Sequence, residues 1–252
     1  MERLRAAAAR ARPRAVLPGA RRGYRASLEY QVEDFDRDFS AWHQAVVGLE
    51  RRADWGSLIG RVNYLSRFGR NAAQFDFEAY RDVAKGTYVN VAAALATDEV
   101  LPDYSFLVEL YRALGGGFEA SGGVRFIGFD APTRVYTGSI GIYRGRYWAA
   151  LRPLVTSNRL GTTLSWTAKL RRYFADEEEY ATLTLSRGRE LEGTAATIDL
   201  FKLDTTAALL ELRKRLAGHY VLKARGGYEL QELPRRSDRS KVLIAAGVEY
   251  LF

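Results

Sequence analysis

In KVLIAAGVEYLF, residues 241–252, every second side chain is apolar: Val242, Ile244, Ala246, Val248, Tyr250 and Phe252 share one face, with Lys241 and Glu249 on the other. Period-two alternation is the signature of a β-strand with two different environments on its faces. The pattern recurs along nearly the whole chain. HYVLKARGGYELQ sets Tyr220, Leu222, Ala224, Tyr228 and Leu230 against Lys223, Arg225 and Glu229, and YRASLEYQV sets Tyr24, Leu28 and Tyr30 against Arg25, Glu29 and Gln31. TLSWTAKLR and GFEASGGVRFIG read the same way. About 14 such segments begin near residues 24, 42, 56, 72, 86, 103, 117, 134, 145, 160, 178, 206, 219 and 240.

The connections also alternate in kind. After most even-numbered segments stand tight turns such as ADWG, AKGT, LGGG, YRGR and LAGH, and after odd-numbered ones stand longer polar stretches such as EDFDRDFSA, RGRELEGTAATIDLF and ELPRRSDRS. FADEEE, after the tenth segment, is longer than its class requires. An even strand count with short turns on one rim and long loops on the other is the pattern of a transmembrane β-barrel, with the short side in the periplasm. The expected fold is therefore all-β: a closed antiparallel transmembrane barrel of about 14 strands, with 12 to 16 allowed.

Alternation alone does not say which face meets solvent; size decides. An interior made by roughly eight strands is just wide enough for side chains to fill it. A wider ring must hold polar groups or water inside, so its apolar face looks outward to lipid. Composition agrees, with 15 Tyr, 12 Phe and 4 Trp beside 23 Gly and only 6 Pro. Tyr24, Trp42, Trp55, Tyr104, Trp148, Tyr220 and Phe252, near segment ends, are expected in interfacial girdles. No run of 18 apolar residues occurs, so no membrane-spanning helix is expected.

Two domains of unequal weight follow: a basic Ala- and Arg-rich segment over 1–22, helical or without fixed structure, and the barrel over 23–252. The net charge of +8 first suggests a nucleic-acid partner, but residues 1–25 hold eight Arg against one Glu, leaving the body almost neutral. No nucleic-acid partner is expected. The basic segment has no apolar stretch of the kind a secretory signal carries.

The face opposite the lipid is the place to look for function. It carries Glu29, Glu109, Glu119, Arg125, Arg152, Lys169, Arg171, Arg213, Arg215, Lys223, Arg225, Glu229 and Glu249, along with Glu50, Arg61, Asp76 and Glu78. Acids dominate the first half and bases the second, so two walls of opposite sign are expected across the lumen, a field that selects ions or zwitterions. The competing reading is a set of mutually neutralising ion pairs that plug the barrel. Arg235, Arg236 and Arg239 in the PRRSDRS loop are candidate contacts for lipopolysaccharide phosphates.

Catalysis has little to stand on. His43 lies near Ser40 and Asp38 but in no recognisable hydrolase motif, and His219 lies in a short turn. With no cysteine and two separated histidines, no metal site and no cofactor are expected. Neither Gly115–Gly117 nor the GSIG around Ile140 precedes a helix, so neither is a phosphate loop.

LSRFG, LPDYSFLVELYRALGGGFEASGGVRF, IYRGRYWAALRPLVTS and AKLRRYFADEEEYATLTLSRG resemble the YaiO family of bacterial outer-membrane β-barrels, with GRYWAALRP and RRYF the most distinctive pieces. The resemblance runs from Tyr24 to Phe252. It implies outer-membrane location, a porin-like shape and surroundings of outer-membrane lipid and lipopolysaccharide, with no established reaction or ligand. Barrels of that family often follow tetratricopeptide repeats, which makes periplasmic export proteins expected partners and residues 1 to about 20 the end of such a region. The terminal Val248, Tyr250 and Phe252 resemble the signal read by the barrel-assembly machinery. The function expected is a porin-like channel or an envelope component linked to polysaccharide or surface export; the alternatives are a lipid-modifying enzyme of the outer leaflet and a plugged structural barrel.

Overall fold

The computed structural model describes residues 23–37, 39–98, 100–128, 132–159, 161–189, 204–216, 218–232 and 238–252. Fourteen strands follow in chain order: β1 (Gly23–Phe35), β2 (Trp42–Ala53), β3 (Gly56–Arg67), β4 (Arg70–Ala84), β5 (Thr87–Ala96), β6 (Tyr104–Gly115), β7 (Phe118–Gly128), β8 (Thr133–Arg144), β9 (Tyr147–Asn158), β10 (Gly161–Tyr173), β11 (Tyr180–Arg189), β12 (Asp204–Arg215), β13 (Tyr220–Glu232) and β14 (Arg239–Leu251). Each pairs antiparallel with its chain neighbours, and β1 closes the ring on β14, with Arg25 opposite Leu251 and Phe35 opposite Lys241. Closure reaches the last residue, because the Tyr24 N–H donates to the Phe252 carbonyl at 2.7 Å and the Phe252 N–H to Tyr24 at 2.9 Å. Every strand edge is thereby paired, as a lipid surround demands. The strands run 10 to 15 residues, and about 9–11 tilted residues suffice to cross the hydrocarbon.

The apolar face looks outward. Leu28, Phe75, Leu95 and Leu151 lie bare, and Ile140 and Ile244 leave 64% and 65% of their surface open. A continuous apolar surface of this extent has no place in water and suits lipid. Alternate residues point inward and are polar or charged: Arg25, Glu33, Glu50, Asn63, Asn90, Glu109, Thr163, Ser165 and Lys241 are all buried.

The start of β1 and the end of β14 lie at one rim, here called the terminal rim; the other is the loop rim. Two-residue connections join β2 to β3, β4 to β5, β6 to β7 and β8 to β9 on the terminal rim. The expected regularity fails in two ways. On the loop rim, β3–β4 and β9–β10 are also two-residue hairpins, and on the terminal rim the β10–β11 connection spans 174–179. Phe68 and Gly69, at φ 54° and 72°, form the β3–β4 hairpin. Two successive left-handed residues are what the strand twist needs at such a turn, and asparagine or glycine would be the usual first residue. Here the Phe68 ring repays the strain by packing 5.0 Å from Phe39 and 4.7 Å from Trp42.

Tyr24, Tyr220, Tyr250 and Phe252 form an outward aromatic girdle at the terminal rim, with Tyr24 and Phe252 stacked at 5.6 Å. Trp55 and Tyr104 are likewise exposed. Trp42 and Trp148 depart from expectation and face the lumen. Trp42 is buried within the Phe35–Phe39–Phe68 cluster, and Trp148 lies under the Arg171 guanidinium. Position near a strand end was the wrong cue; strand parity decides the face. That cluster, with Leu65, Ala72 and the inward-turned Leu101 of the β5–β6 connection, narrows the lumen at the loop rim.

Candidate functional site: the lumen at the terminal rim

The β10–β11 turn is built around Asp176. Its carboxylate accepts the Glu178 N–H at 2.8 Å, its carbonyl accepts the Glu179 N–H at 3.3 Å, and the Phe174 N–H donates to Glu179 at 2.9 Å. The Asx geometry rolls the turn inward and sends the Glu178 carboxylate into the barrel. There it meets three arginines from distant strands: Arg25 of β1, Arg52 of β2 at 3.0 Å and Arg213 of β12 at 2.8 Å. In ring order β2 stands five places from β11, so the turn reaches well across the lumen. Arg25 also binds Glu249 at 3.0 Å and Glu50 at 3.5 Å, Arg52 binds Glu50 at 2.8 Å, and Arg213 binds Glu249. Three cations and three carboxylates thus form one closed network. Lys214 to Glu179 at 2.8 Å and Arg215 to Asp176 at 3.5 Å hold the turn from behind.

Burial alone would raise the Glu178 carboxyl, but the charges of Arg25, Arg213 and Arg52 outweigh it and hold the group below the usual carboxylate range. Its neighbour Glu177 goes the other way, raised by burial and by the Glu178 charge beside it. Adjacent acids with opposite shifts make the turn responsive to pH.

Above this network lies a cavity of about 510 Å³, lined by Arg25, Glu50, Arg61, Glu78, Tyr80, Arg171, Tyr173, Glu177, Glu178, Tyr180, Arg213, Lys223 and Glu249 among others. Its aromatic lining is Tyr80, Tyr173 and Tyr180, and further aromatic groups stand on the inner faces of β5, β6, β8 and β9. Tyr88 stacks on its cross-strand partner Tyr111 at 4.6 Å, with Tyr80 at 6.4 Å from Tyr88; Tyr143 lies 6.1 Å from Trp148, and Tyr173 lies 6.0 Å from Tyr180. The Arg171 guanidinium lies 3.8 Å over the Tyr180 ring.

The charges expected on the inner face do project inward, but they do not form two opposed walls. Glu29 contacts Lys223 at 2.8 Å and Arg225, Glu109 contacts Arg152 at 2.8 Å, and Glu229 contacts Lys241 at 3.0 Å. Closure sets acidic β1 next to β14 and two places from basic β13, and in a low-dielectric interior opposite charges within reach pair rather than face off. Arg171 binds Thr182 at 2.8 Å, Arg215 reaches the Gly218 carbonyl, and Glu119 lies beside the Tyr88 hydroxyl. Arg125 and Lys169 project from the same inner faces of β7 and β10.

Sequence reasoning missed Arg52, Glu178, Glu211, the lumen tyrosines and the buried Glu33–Lys241 pair at 3.1 Å. The unusual length of FADEEE was the one available signal for Glu178. Arg239 is corrected: it is buried in the lumen, bonded to Gln231 at 2.7 Å and seated over the Phe39 ring, because β14 begins at Arg239 and turns it inward. Arg235 and Arg236 lie outside the described residues. His43 faces outward near the loop rim, its Nδ1 2.8 Å from the Tyr30 hydroxyl, and His219 Nδ1 sits 2.7 Å from the Leu251 carbonyl.

The model of a family described as the YaiO membrane β-barrel domain matches residues 24–192. No curated protein matches the sequence. Among solved structures, a bacterial polysaccharide outer-membrane secretin is similar at TM-score 0.61 and 7% identity, covering 93% of this chain and 100% of that one. Omp33 of Acinetobacter baumannii is similar at TM-score 0.52 and 11% identity, covering 91% and 99%. An anion-selective porin from Comamonas acidovorans is similar at TM-score 0.50 and 9% identity, covering 91% and 98%. At such identities the likeness concerns the fold.

Proposed function

The chain belongs to the YaiO membrane β-barrel family, and from that premise we propose that it is a gated, porin-like conduit of the bacterial outer membrane, closed at rest from the periplasmic side. In that membrane the rim with the short turns, where β1 starts and β14 ends, faces the periplasm, so the terminal rim is periplasmic and the loop rim extracellular. The observation that carries the reading is the β10–β11 turn. Four of the other terminal-rim connections take two residues, whereas this one takes six and spends them placing Glu178 among Arg25, Arg52 and Arg213. A barrel that only needed filling has wall side chains for the purpose; a turn anchored by side chains alone can be withdrawn without breaking the sheet.

The plugged structural barrel is the second reading, favoured by the completeness of the lumen ion pairs. Planar-bilayer recording separates the two. Wild type should show small or infrequent conductance steps, and a variant with 174–179 replaced by Asn-Gly should show larger, persistent ones. Silence in both would establish the plug.

Export of a polysaccharide is the finer form of the proposal. The polysaccharide secretin among the similar folds supports it, as does an aromatic lumen wall. Periplasmic export proteins and lipopolysaccharide are the partners this reading assigns. A hydrolytic role at the outer leaflet would fall to His43, whose Nδ1 is engaged by Tyr30 and whose cross-strand neighbour is Ser66. We read the protein as non-enzymatic; a His43→Ala strain whose lipid A differs by mass spectrometry from wild type would overturn that.

A further inference from the structure

We propose that the cavity above the Glu178 network is a binding site for a net-neutral saccharide chain, held between Tyr80 on one wall and Tyr173 on the other. The inference rests on the conduit reading and names what the conduit admits. β4 and β10 stand six places apart in a ring of fourteen, so Tyr80 and Tyr173 line the one cavity from opposite walls. The volume of about 510 Å³ falls within the roughly 300–1,000 Å³ of small-ligand sites.

The chemistry narrows the ligand. A filler for this space would be leucine or isoleucine, which pack without polar atoms to satisfy. Tyrosine instead presents an electron-rich face with a polar rim. A pyranose has the complementary layout, weakly positive C–H groups on its faces and hydroxyls round its edge. Carboxylates and guanidinium groups line the same cavity, and charge-assisted hydrogen bonds to them are the strong ones. The lining carries six cationic groups and six carboxylates, so no net field favours an anion or a cation.

The test is calorimetry on the intact barrel in detergent, titrated with cellohexaose, maltohexaose and N-acetylchitohexaose, with hexagalacturonate as the anionic contrast. At least one neutral hexasaccharide should bind, and no more weakly than the anionic one. Tyr80→Leu and Tyr173→Leu should each weaken it about tenfold, and Tyr173→Phe, which keeps the ring, should bind within about twofold of wild type. Retained heat-modifiable migration shows that each variant is folded. Absence of binding by every neutral probe, clear preference for hexagalacturonate, or leucine variants that bind like wild type would overturn the proposal. Bilayer recording of the same preparations keeps the two claims apart. Conductance without saccharide binding sinks the site and leaves the conduit; binding without conductance in the turn-shortened variant sinks the conduit and leaves the site.

Discussion

Glu178 carries the proposed closure through its contacts with Arg25, Arg52 and Arg213. Removing a partner from a buried ion pair costs about 3–5 kcal/mol, because the remaining charges stay desolvated, and moving a two-state population from 1:99 to 99:1 takes about 5.5 kcal/mol. Glu178→Ala should therefore bring open and closed turns to comparable populations, read as a large rise in open probability in single-channel records. The pH dependence follows from the two shifts. Glu178, held below its ordinary value, contributes closure that is complete above about pH 4.3 and lost as pH falls through its lowered pKa. Glu177, held above its ordinary value, contributes closure present below about pH 4.3 and lost as pH rises through its raised pKa. Arg25, Arg52, Arg213 and Asp176 surround the pair, and the arginines stay charged throughout. Closure should be tightest in mildly acidic solution, with opening increasing on further acidification, and Glu178→Gln should abolish the acid branch. Gly56 is a different kind of residue. At φ 141° an added Cβ would lie 1.9 Å from the Tyr80 carbonyl, so Gly56→Ala must displace the β4 backbone that carries a cavity tyrosine. A cost of about 1–3 kcal/mol is expected, seen as a lower temperature for loss of the fast-migrating folded band.

At the scale of elements, strands and turns divide the work. Alternation made the strands legible: β13 and β14 have in the structure the faces that HYVLKARGGYELQ and KVLIAAGVEYLF imply, because facing depends only on the pleat. Turn geometry was harder to read. LSRFG carries no usual two-residue hairpin signal, and Phe68 holds its left-handed conformation through contacts with Phe39 and Trp42, which are distant in sequence. FADEEE looked too long for its rim, yet nothing local says that Glu178 ends beside Arg25. Shortening that turn should leave β10 and β11 paired, since their register from Tyr173–Tyr180 to Ser165–Gly188 is independent of it. Unchanged heat-modifiability with altered conductance is the expected pair of results.

At the scale of the whole molecule, closure of β1 on β14 joins the first strand to the last and brings Phe252 against Tyr24. Val248, Tyr250 and Phe252 face outward on the last strand, and we expect them to be read by the barrel-assembly machinery during insertion. Deleting Phe252 removes two main-chain hydrogen bonds of a ring with many, so the barrel that does insert should unfold at nearly the wild-type temperature. Its amount in outer-membrane fractions should fall severalfold, and normal amounts would refute the role. The sequence by itself determined the strands, the side of each residue and the need to close, because these follow from a period of two and from the main-chain hydrogen bonds that lipid cannot supply. Only the tertiary structure decided which charges meet and that one turn carries Glu178 to Arg25 and Arg52. Those outcomes depend on which strands the closed ring makes neighbours and on how far a turn reaches across it, and neither distance is written in any local stretch of chain.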